Sequence, residues 1–341
     1  MTTPDRIRIA VIGAGRIGKL HAEHLAARIP GVQLAAIADI NLAAAQETAA
    51  RFNAPVAAVD YRQLLDDQTI HAVVIGSPTD THAEIAQQAA AAGKHVFCEK
   101  PIDFDLKRID QTLAALERAG VKFQVGFNRR FDPNFRKVRE MVAAGKIGAP
   151  HLLRITSRDP APPPLEYVKV SGGIFLDMTI HDFDMARYLM GSEVTEIYAA
   201  GAVLVDPAIG GVGDLDTAVI TLRFANGAIG AIDNSRRAVY GYDQRVEVFG
   251  SAGMVTVSNN TSDTHVYSNA AGIHSALPLY FFLERYTESY IAELRAFVEC
   301  LRDNTPPPVT GMDGRLPVVM GLAAQKSYRE NRPVRLDEIE A

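Results

Sequence analysis

A glycine-rich turn placed directly after an apolar run constrains the fold of this chain more than any other feature. Residues 6–12 (RIRIAVI) predict a buried β-strand, and the turn GAGRIG follows at once, with glycines at positions 13, 15 and 18. In such a turn Gly13 permits the tight bend, Gly15 lets the backbone approach a pyrophosphate, and Gly18 lets the next helix pack closely on the strand. The helix predicted for about 16–28 would direct the positive end of its dipole at that pyrophosphate. The feature therefore predicts a βαβ unit that binds a dinucleotide.

An acidic residue at the end of the second predicted strand indicates which dinucleotide. Asp39 follows the apolar run 32–38, about 20 residues beyond the last glycine of the turn. A carboxylate there accepts hydrogen bonds from the ribose hydroxyls and repels a 2′-phosphate. The next residues are Ile40 and Asn41, so no arginine is at hand to neutralise a phosphate. We therefore expect NAD rather than NADP as the cofactor. Two other residues of the turn are expected to contact it: Arg16 and Ile17.

The first part of the chain continues this alternation of strand and helix. Three further apolar runs predict strands with both faces buried, and three helical patterns alternate with them. The runs are 71–75, 95–98 and 121–126, and the helices are 43–52, 81–92 and 106–119. Strands of this kind are typical of a parallel sheet covered by helices on both faces. We therefore expect an α/β fold, a doubly wound Rossmann domain, over residues 1–128.

Polar residues follow two of these strands, at the edge where open α/β sheets bind ligands. They are Ser77, Pro78 and Thr79 after one strand, and Glu99 and Lys100 after the next. We expect contacts with the cofactor here, although the first group would also serve as an ordinary turn into a helix. The ammonium of Lys100 could hold a substrate hydroxyl and stabilise alkoxide charge, or it could lack a catalytic role. His82 is expected on the surface of the following helix.

The pattern changes after residue 128. Helical stretches are combined with a long alternating region from 194 to about 267, which predicts an open, mainly antiparallel sheet. Asn226 and Gly227 lie between two strand patterns and predict a hairpin with a type I′ turn. We expect an α+β domain over residues 129–341, whose last helix, about 314–330, could pack back on the first domain. An open sheet with an apolar face is commonly covered by a partner subunit.

Asp177 and His181 lie four residues apart in one long helix predicted for 172–190. Residues at this spacing share a helix face. One interpretation is a buried histidine whose polar atoms are satisfied by the carboxylate, and the other is a general base that the carboxylate orients. Alcohol oxidation releases a proton as well as a hydride, and histidine titrates near neutrality. The residues alone leave both interpretations open. Three other acidic residues are expected to form salt bridges or helix caps: Asp132, Asp182 and Asp184.

Composition argues against several classes of function. The chain has 341 residues, a formal net charge of −5 and two cysteines, too few for a disulfide scaffold. An acidic chain is a poor match for nucleic acid or an anionic membrane as a partner. No apolar run is long enough to cross a bilayer, and residues 1–5 do not resemble a secretion signal, so a cytoplasmic location is expected. His21 and His24 have a spacing compatible with a metal site, but no cluster of carboxylates or cysteines completes one, so no metal is expected.

Five strings, in this order, resemble the Gfo/Idh/MocA oxidoreductase family: GAGRIG, CEKP, GFNRRFDP, SRDP and SGGIFLDMTIHDFDMARYL. The similarity covers nearly the whole chain, and the longer strings are most similar to the branch that oxidises inositols. The resemblance implies a Rossmann domain that binds NAD, a second domain that binds substrate, a homotetramer, and oxidation of myo-inositol to its 2-ketone. Alternatives are oxidation of scyllo-inositol or of a hexose, and a regulator that senses NAD without catalysis.

The resemblance also implies roles for individual residues. It places a catalytic trio on Lys100, Asp177 and His181. In that scheme His181 accepts the hydroxyl proton, Asp177 orients it and Lys100 holds the reacting hydroxyl. Asn128 and Arg129 match the family's segment near nicotinamide and substrate. Members of the family often have a cis peptide bond directly after the lysine of this trio.

The resemblance implies a role in substrate recognition for a short segment, and one tyrosine is a further candidate. By the resemblance, Ser157, Arg158 and Asp159 are placed to bind the hydroxyls of a cyclic polyol. Some family members carry a histidine and an asparagine where Ser157 and Asp159 stand, which leaves the inositol isomer open. Tyr242 is expected to add a hydroxyl contact, with Tyr240 as the alternative, and either tyrosine could instead only fill a strand.

Overall fold

The computed structural model describes residues 6–340, which form two compact units. The first comprises Met1–Asn128 and Glu288–Leu316, and the second comprises Arg129–Thr287 and Pro317–Ala341. This division differs from the predicted domains, 1–128 and 129–341, because Glu288–Leu316 belongs to the first unit. The prediction made for residues 1–5 falls outside the described residues.

Six strands and five helices alternate in the described residues up to Asn128. In chain order they are β1 (Ile7–Ile12), α1 (Arg16–Ala27), β2 (Val32–Ala38), α2 (Leu42–Phe52), β3 (Val56–Ala58), α3 (Arg62–Asp66), β4 (Ala72–Ile75), α4 (Thr79–Ala91), β5 (His95–Glu99), α5 (Leu106–Ala119) and β6 (Phe123–Gly126). The strands are all parallel and lie in the order β3-β2-β1-β4-β5-β6, which is that of a Rossmann sheet. The predicted α/β fold is confirmed.

One strand of this sheet was not predicted from the sequence. β3 has only three residues and pairs with β2 at the edge of the sheet. A run this short carries no periodic signal of its own. Its pairing therefore depends on the neighbouring strand, which local sequence does not reveal.

The core of the first unit explains why a late segment of the chain belongs to it. Ile9, Val11 and Phe97 of the sheet are fully buried in one apolar cluster. Leu294 and Phe297, from the later segment, are fully buried in the same cluster. Burial of large apolar side chains is the main stabilising contribution to such a core. The later segment therefore completes the core of the Rossmann unit.

After a 3-10 helix at Asn128–Phe131, the rest of the chain adds eight α-helices and nine strands within the described residues. They are α6 (Pro133–Ala143), β7 (Pro150–Arg158), α7 (Leu165–Val168), α8 (Gly173–Asp177), α9 (Thr179–Met190), β8 (Val194–Ala202), α10 (Pro207–Gly211), β9 (Thr217–Phe224), β10 (Ile229–Ser235), β11 (Asp243–Gly250), β12 (Gly253–Val257), β13 (Val266–Asn269), β14 (Gly272–Ser275), α11 (Phe282–Asp303), α12 (Gly311–Glu330), β15 (Val334–Arg335) and α13 (Asp337–Glu340).

A seven-stranded sheet is the frame of the second unit. Its order is β12-β11-β7-β10-β9-β8-β15, and every neighbouring pair is antiparallel except β7 with β10. The predicted open, mainly antiparallel sheet is therefore confirmed. β9 alternates between buried and exposed residues, as expected for a sheet with one covered face.

The hairpin between β9 and β10 forms where Asn226 and Gly227 predicted it, but with a different turn. The N–H of Gly227 donates to the carbonyl of Phe224 at 3.0 Å. Gly227 has φ +88°, whereas Asn226 is not among the described non-glycine residues with positive φ. A type I′ turn needs positive φ at both central residues. The turn is therefore type I followed by a left-handed glycine, and the type I′ prediction is wrong.

The long helix predicted for 172–190 is interrupted in the structure. α8 ends at Asp177 and α9 begins at Thr179, with Met178 between them at φ −90° and ψ −59°. The N–H of Met178 still donates to Ile174, and that of His181 donates to Met178. The chain therefore stays helical in direction, but Asp177 and His181 lie on different helices.

None of the helices within residues 6–340 combines the length and low polarity needed to cross a membrane.

Candidate active site

The turn between β1 and α1 has the shape that a pyrophosphate requires. Gly13 has φ +101°, and a Cβ there would lie 2.6 Å from the backbone nitrogen of Ser77. At Gly18 a Cβ would lie 1.8 Å from the carbonyl oxygen of Gly13. At Gly15, in contrast, a Cβ would meet nothing within 4 Å. Glycine is therefore required by the fold at two positions, and at the third it leaves open space where the backbone could approach a ligand.

The N-terminus of α1 is open to an anion. The helix begins with Arg16 and Ile17, and no side chain caps it at Gly15. The first backbone N–H groups of a helix have no partner within it, and together with the helix dipole they attract negative charge. This is the arrangement predicted for the pyrophosphate of a dinucleotide.

Asp39 is fixed beside the same turn. Its Oδ2 accepts a hydrogen bond from the backbone N–H of Ala14 at 2.6 Å, and its Oδ1 accepts one from Asn41 at 2.8 Å. The two bonds hold the carboxylate at the carboxyl end of β2, half-exposed to solvent. A carboxylate held there matches the partner that an adenosine ribose requires.

The residues after β4 adjoin the phosphate turn, because Ser77 is the residue that a Cβ at Gly13 would meet. The hydroxyl of Ser77 lies 2.7 Å from that of Thr81. Pro78 precedes α4 and Thr79 begins it, so these residues also form the turn into the helix. Both interpretations of this segment remain compatible with the structure.

His82 contradicts its prediction as a surface residue, since it is 2% exposed. Its Nε2 lies 2.8 Å from the carbonyl oxygen of Ser77, and its Nδ1 lies 2.8 Å from that of Pro101. Because carbonyls only accept hydrogen bonds, a neutral ring donates to one of them and an imidazolium to both. The ring thereby ties the segment after β4 to the segment after β5. Helical periodicity could not reveal this, because the partner carbonyl comes from another loop.

The segment after β5 places its two polar residues differently. Lys100 is half-buried and precedes Pro101 through a cis peptide bond, which confirms what the family resemblance implied. The carboxylate of Glu99 lies 2.7 Å from Nε2 of His21 in the interior of the first unit. Glu99 therefore anchors the start of the lysine segment to α1.

The neighbours of His21 differ from the sequence-based expectation. Carboxylate oxygens of Glu99 and Glu293 lie with a nitrogen of His21 within 4.8 Å of one another, and all three residues are buried. The expectation that no carboxylates join these histidines is therefore wrong for His21. Burial, with the charge of Glu99, raises the pKa of Glu293 well above its ordinary value. Burial therefore favours the neutral, protonated form of Glu293 in this cluster.

Asn128 closes the set of candidate cofactor residues at the end of β6. It is 2% exposed, and its Nδ2 has no hydrogen-bond partner within the part of the chain that the structure describes. A buried amide donor of this kind is costly unless a ligand satisfies it. The orphaned donor, the open space at Gly15 and the anchored Asp39 together fit a dinucleotide.

In the second unit, a buried ion pair organises the predicted substrate residues. Nη1 of Arg129 lies 2.6 Å from Oδ1 of Asp182, and Oδ2 of Asp182 accepts from Asn234 at 2.8 Å. Arg129 also donates to the hydroxyls of Ser157 and Tyr242, at 3.4 Å for each from Nη2. A buried charge is stable only with such partners. The network brings Arg129, Ser157 and Tyr242 together, and their role in binding substrate stays a prediction.

Tyr242 and Tyr240 have different surroundings. Tyr242 is 6% exposed, and burial raises its pKa well above the ordinary value, so its hydroxyl stays neutral. Tyr240 instead donates to Asp243 at 2.7 Å and accepts from Arg158 at 3.1 Å. The structure thus groups Tyr242 with Arg129 and assigns Tyr240 to a separate cluster.

The predicted roles of three acidic residues as salt-bridge or capping groups are confirmed. Asp182 pairs with Arg129, and Asp184 pairs with Arg130 at 2.6 Å. Asp132 caps α6, where its Oδ1 accepts from the N–H groups of Asn134 and Phe135. These carboxylates serve the structure of the second unit.

Asp177, at the end of α8, is held from two sides. Its Oδ1 accepts from the hydroxyl of Tyr167 at 2.8 Å, and both terminal nitrogens of Arg236 lie 3.4 Å from its Oδ2. His181 follows in the first turn of α9 and is half-buried. The orientation of His181 by Asp177 stays a prediction.

Asp159 follows β7 in the same unit. Burial, joined by the negative charge of Asp177, raises its pKa to about 6, against the opposing charges of Arg236 and Arg129. This carboxyl therefore changes charge close to neutrality, which is a frequent property of residues in functional sites.

Two family models match the chain: an oxidoreductase family with an NAD-binding Rossmann fold, over residues 7–127, and a GFO/IDH/MocA C-terminal domain, over residues 135–256. The chain belongs to the Gfo/Idh/MocA oxidoreductase family. Myo-inositol 2-dehydrogenase of Thermotoga maritima is 52% identical, over 98% of this chain and 99% of that protein. Inositol 2-dehydrogenase of Rhizobium meliloti is 44% identical, over 97% of this chain and 99% of that protein. The crystal structure of scyllo-inositol dehydrogenase from Lactobacillus casei with NAD(H) and scyllo-inositol is 31% identical, with a TM-score of 0.92 and coverage of 97% and 99%.

As a member of the Gfo/Idh/MocA family, the chain is an NAD-dependent oxidoreductase, and the first unit is its NAD-binding domain. This agrees with the cofactor expected from the glycine turn and Asp39. The predicted enzyme class and cofactor are therefore confirmed.

Several residues of this Gfo/Idh/MocA site were missed from the sequence. Tyr167 and Arg236 hold Asp177, and Asn234 holds Asp182. Arg236 lies directly after β10, in the string NSRR, where two adjacent arginines look alike in sequence. Only its burial, at 1% exposed, distinguishes it from Arg237. Alternation along β10 is the one sequence signal that could have indicated an inward side chain.

Proposed function

We propose that this chain oxidises myo-inositol at its 2-hydroxyl to the corresponding ketone (2-keto-myo-inositol, scyllo-inosose), with NAD as hydride acceptor. The observation that carries the proposal is the buried polar network of Arg129, Ser157 and Tyr242 in the unit that also holds Asp177 and His181. A site built to hydrogen-bond hydroxyls rejects analogues that lack them. The relative that is 52% identical bears the name of this activity.

In the proposed reaction, His181 removes the proton from the hydroxyl that is oxidised. Asp177 stabilises the positive charge that the ring then carries. Lys100 donates to the reacting oxygen, and its charge lowers the free energy of the developing alkoxide. Bound NAD supplies the hydride acceptor. All three residues have the chemistry that general acid–base catalysis of alcohol oxidation requires.

The remaining hydroxyls of the substrate have partners in the proposed site. Arg129 and Tyr242 offer donors, Ser157 both donates and accepts, and Asp159 accepts when ionised. A cyclic polyol carries a hydroxyl on every carbon, so several such groups are needed to orient it. In the first unit, Asp39 favours NAD over NADP by repelling a 2′-phosphate.

Oxidation of scyllo-inositol is the second candidate. A protein with that name and 37% identity, scyllo-inositol 2-dehydrogenase (NAD(+)) of Bacillus subtilis, aligns over 97% of this chain. The two isomers differ only at one carbon, so the same donors and acceptors could serve both. A hexose, or NAD sensing without catalysis, is favoured by no observation on the site.

A homotetramer in the cytoplasm completes the proposal. Met254, Phe249, Leu152 and Ile229 lie opposite one another across four neighbouring strands of the second unit's sheet. Three of them are at least 44% exposed. An apolar row of this kind supports association with a second copy. The cytoplasmic location is supported by the two cysteines, both of which are free thiols.

The proposal is tested by following NADH formation with a panel of myo-inositol, scyllo-inositol, D-chiro-inositol, glucose and galactose, each with NAD and with NADP. We expect the highest kcat/KM with myo-inositol and NAD. A preference for scyllo-inositol would select the second candidate. A preference for a hexose, or turnover of none of the five, would overturn the proposed substrate, and a preference for NADP would overturn the role of Asp39.

A further inference from the structure

Arg236 is one of the arginines of the second unit whose guanidinium group is buried. It follows β10, is 1% exposed, and its backbone N–H donates to the carbonyl of Asp216 at 2.8 Å. Taking such a charge out of water costs several kcal/mol unless anions surround it. Nearby anions must therefore compensate the buried charge of Arg236.

Three carboxylates from different segments interact with this guanidinium. Both terminal nitrogens lie 3.4 Å from Oδ2 of Asp177, at the end of α8, and one lies 3.6 Å from Oδ2 of Asp214. The third is Asp159, after β7, which interacts with Arg236 electrostatically: the charge of Arg236 is the largest one that opposes the rise of the pKa of Asp159. Asp214 also accepts from the N–H of Ile174 at 2.9 Å, at the start of α8. Arg236 is therefore a shared counter-charge rather than one half of a single ion pair.

Asp177 is the carboxylate whose two oxygens are both engaged. Tyr167 donates to one oxygen at 2.8 Å, and Arg236 faces the other. Burial and the nearby charge of Asp177 raise the pKa of Tyr167, so its hydroxyl remains a neutral donor. The other carboxylates that share Arg236 are Asp159 and Asp214, and the charges of Arg129 and Asp182 also act on Asp159. Arg236 brings positive charge directly to Asp177.

We propose that Arg236 is a positioning residue for the oxidation: its guanidinium holds the carboxylate of Asp177 in place and balances its negative charge, although two other carboxylates are near. The inference rests on the proposed function, in which Asp177 stabilises the charge that His181 acquires. Without Arg236, three carboxylates would face one another, and like charges at short range favour protonation of at least one. A protonated Asp177 could no longer stabilise an imidazolium.

The test compares Arg236→Met and Arg236→Lys with the wild-type enzyme over a range of pH. In Arg236→Met we expect kcat/KM for myo-inositol to fall about tenfold or more at neutral pH, and the acid limb of the kcat profile to move up by about one pH unit. Arg236→Lys keeps the positive charge and should return the acid limb most of the way to its wild-type position. Arg237→Met removes the exposed neighbouring arginine and should resemble the wild type. The same comparison in an Asp159→Asn background distinguishes the effect of Asp177 from that of Asp159. If Asp177 causes the shift of the acid limb, the shift should persist in this background.

Folding is checked by circular dichroism and by NADH binding, which reports on the first unit. If Arg236→Met does not fold, the double variant Arg236→Met, Asp214→Asn removes one of the repelling carboxylates and replaces it in the test. A wild-type pH profile in the Met variant would overturn the proposal. So would a Lys variant that binds NADH normally yet is as impaired as the Met variant.

Failure of the proposed function is recognised separately. If the wild-type enzyme oxidises none of the alcohols in the panel, that function is wrong, whatever Arg236 does. The contact itself is then tested by the unfolding midpoints of Arg236→Met, Asp177→Asn and their combination. Non-additive midpoints would support coupling between the two residues, and additive ones would contradict it.

Discussion

At the scale of single residues, the chemistry proposed for this enzyme depends on one base that can hold a proton. His181 lies in the first turn of α9, four residues after Asp177 and separated from it by the break at Met178. General acid–base catalysis by a positioned side chain contributes about a hundred- to ten-thousandfold to a rate. We therefore expect His181→Asn to lower kcat by about that factor while KM changes little.

The measurement is steady-state NADH formation with saturating NAD. His274→Asn, which alters an exposed histidine of the same unit, is the control and should keep wild-type kcat. A His181→Asn enzyme with more than about half of the wild-type kcat would show that another group accepts the proton.

Glu293 gives a prediction about stability and pH. Its pKa is raised in the folded protein because it is buried beside Glu99, so the folded state retains a proton that the unfolded state loses. The stability associated with this proton is complete below the ordinary value of 4.5 and is lost as pH rises toward the folded pKa. Glutamine mimics the neutral form. We expect Glu293→Gln to gain unfolding free energy relative to the wild type as pH rises, by at most about 1.4 kcal/mol per pH unit.

Thermal unfolding of both proteins between mildly acidic and alkaline pH measures this difference. Glu299→Gln, an exposed change on the same helix α11, should follow the wild-type curve. Parallel curves for Glu293→Gln and the wild type would mean that Glu293 carries no extra proton.

At the scale of secondary-structure elements, the turn from β1 to α1 contains one glycine that folding requires and another that ligand binding requires. A side chain at Gly18 would collide with the carbonyl of Gly13, whereas one at Gly15 would meet nothing. Gly15 also has φ −73°, which alanine adopts without strain. We expect Gly15→Ala to keep the unfolding midpoint and to weaken NAD binding about tenfold or more, because the added methyl occupies the space beside the pyrophosphate.

Gly18→Ala is the matched variant and should lower the unfolding midpoint by several degrees. Calorimetric titration with NAD and thermal unfolding of the two variants distinguish the effects. Equal losses of stability in both variants would contradict this division of roles.

Features that depend on residues nearby in the sequence were predictable, and features that depend on residues far away in the sequence were not. The glycine turn and the hairpin at Gly227 each depend on neighbouring residues, and both occur where the sequence placed them. The burial of His82 depends on the carbonyl of Pro101, and the cluster at His21 depends on Glu293, far away in sequence. The helical periodicity of these residues therefore could not predict either contact. The family resemblance supplied what spacing could not: the pairing of Lys100 with Asp177 and His181 as one proposed trio.

At the scale of the whole molecule, the exposed apolar row on the second unit's sheet is the feature that supports the proposed association with a second copy of the chain. Phe249 is 44% exposed and Ile229 is 50% exposed, and both face solvent from strands whose other face is buried. We expect the double change Phe249→Lys, Ile229→Lys to dissociate the proposed tetramer, because it would bury unpaired charges at the interface.

Sedimentation equilibrium of the variant and the wild type gives the mass directly. Val59→Lys, at an exposed position of the first unit, should leave the assembly unchanged. A wild-type chain that sediments as a monomer, or a double variant that remains a tetramer, would contradict the assignment of this face.

The proposed oxidation at a single carbon of the inositol ring can be followed directly with an isotope. The measurement is turnover of myo-inositol deuterated at C2 with unlabelled NAD, followed by mass spectrometry of the reduced cofactor and of the ketone. We expect that one deuterium appears in the reduced cofactor and that the ketone has lost it. Reduced cofactor without deuterium would show that hydride comes from another position, and it would contradict the proposed reaction.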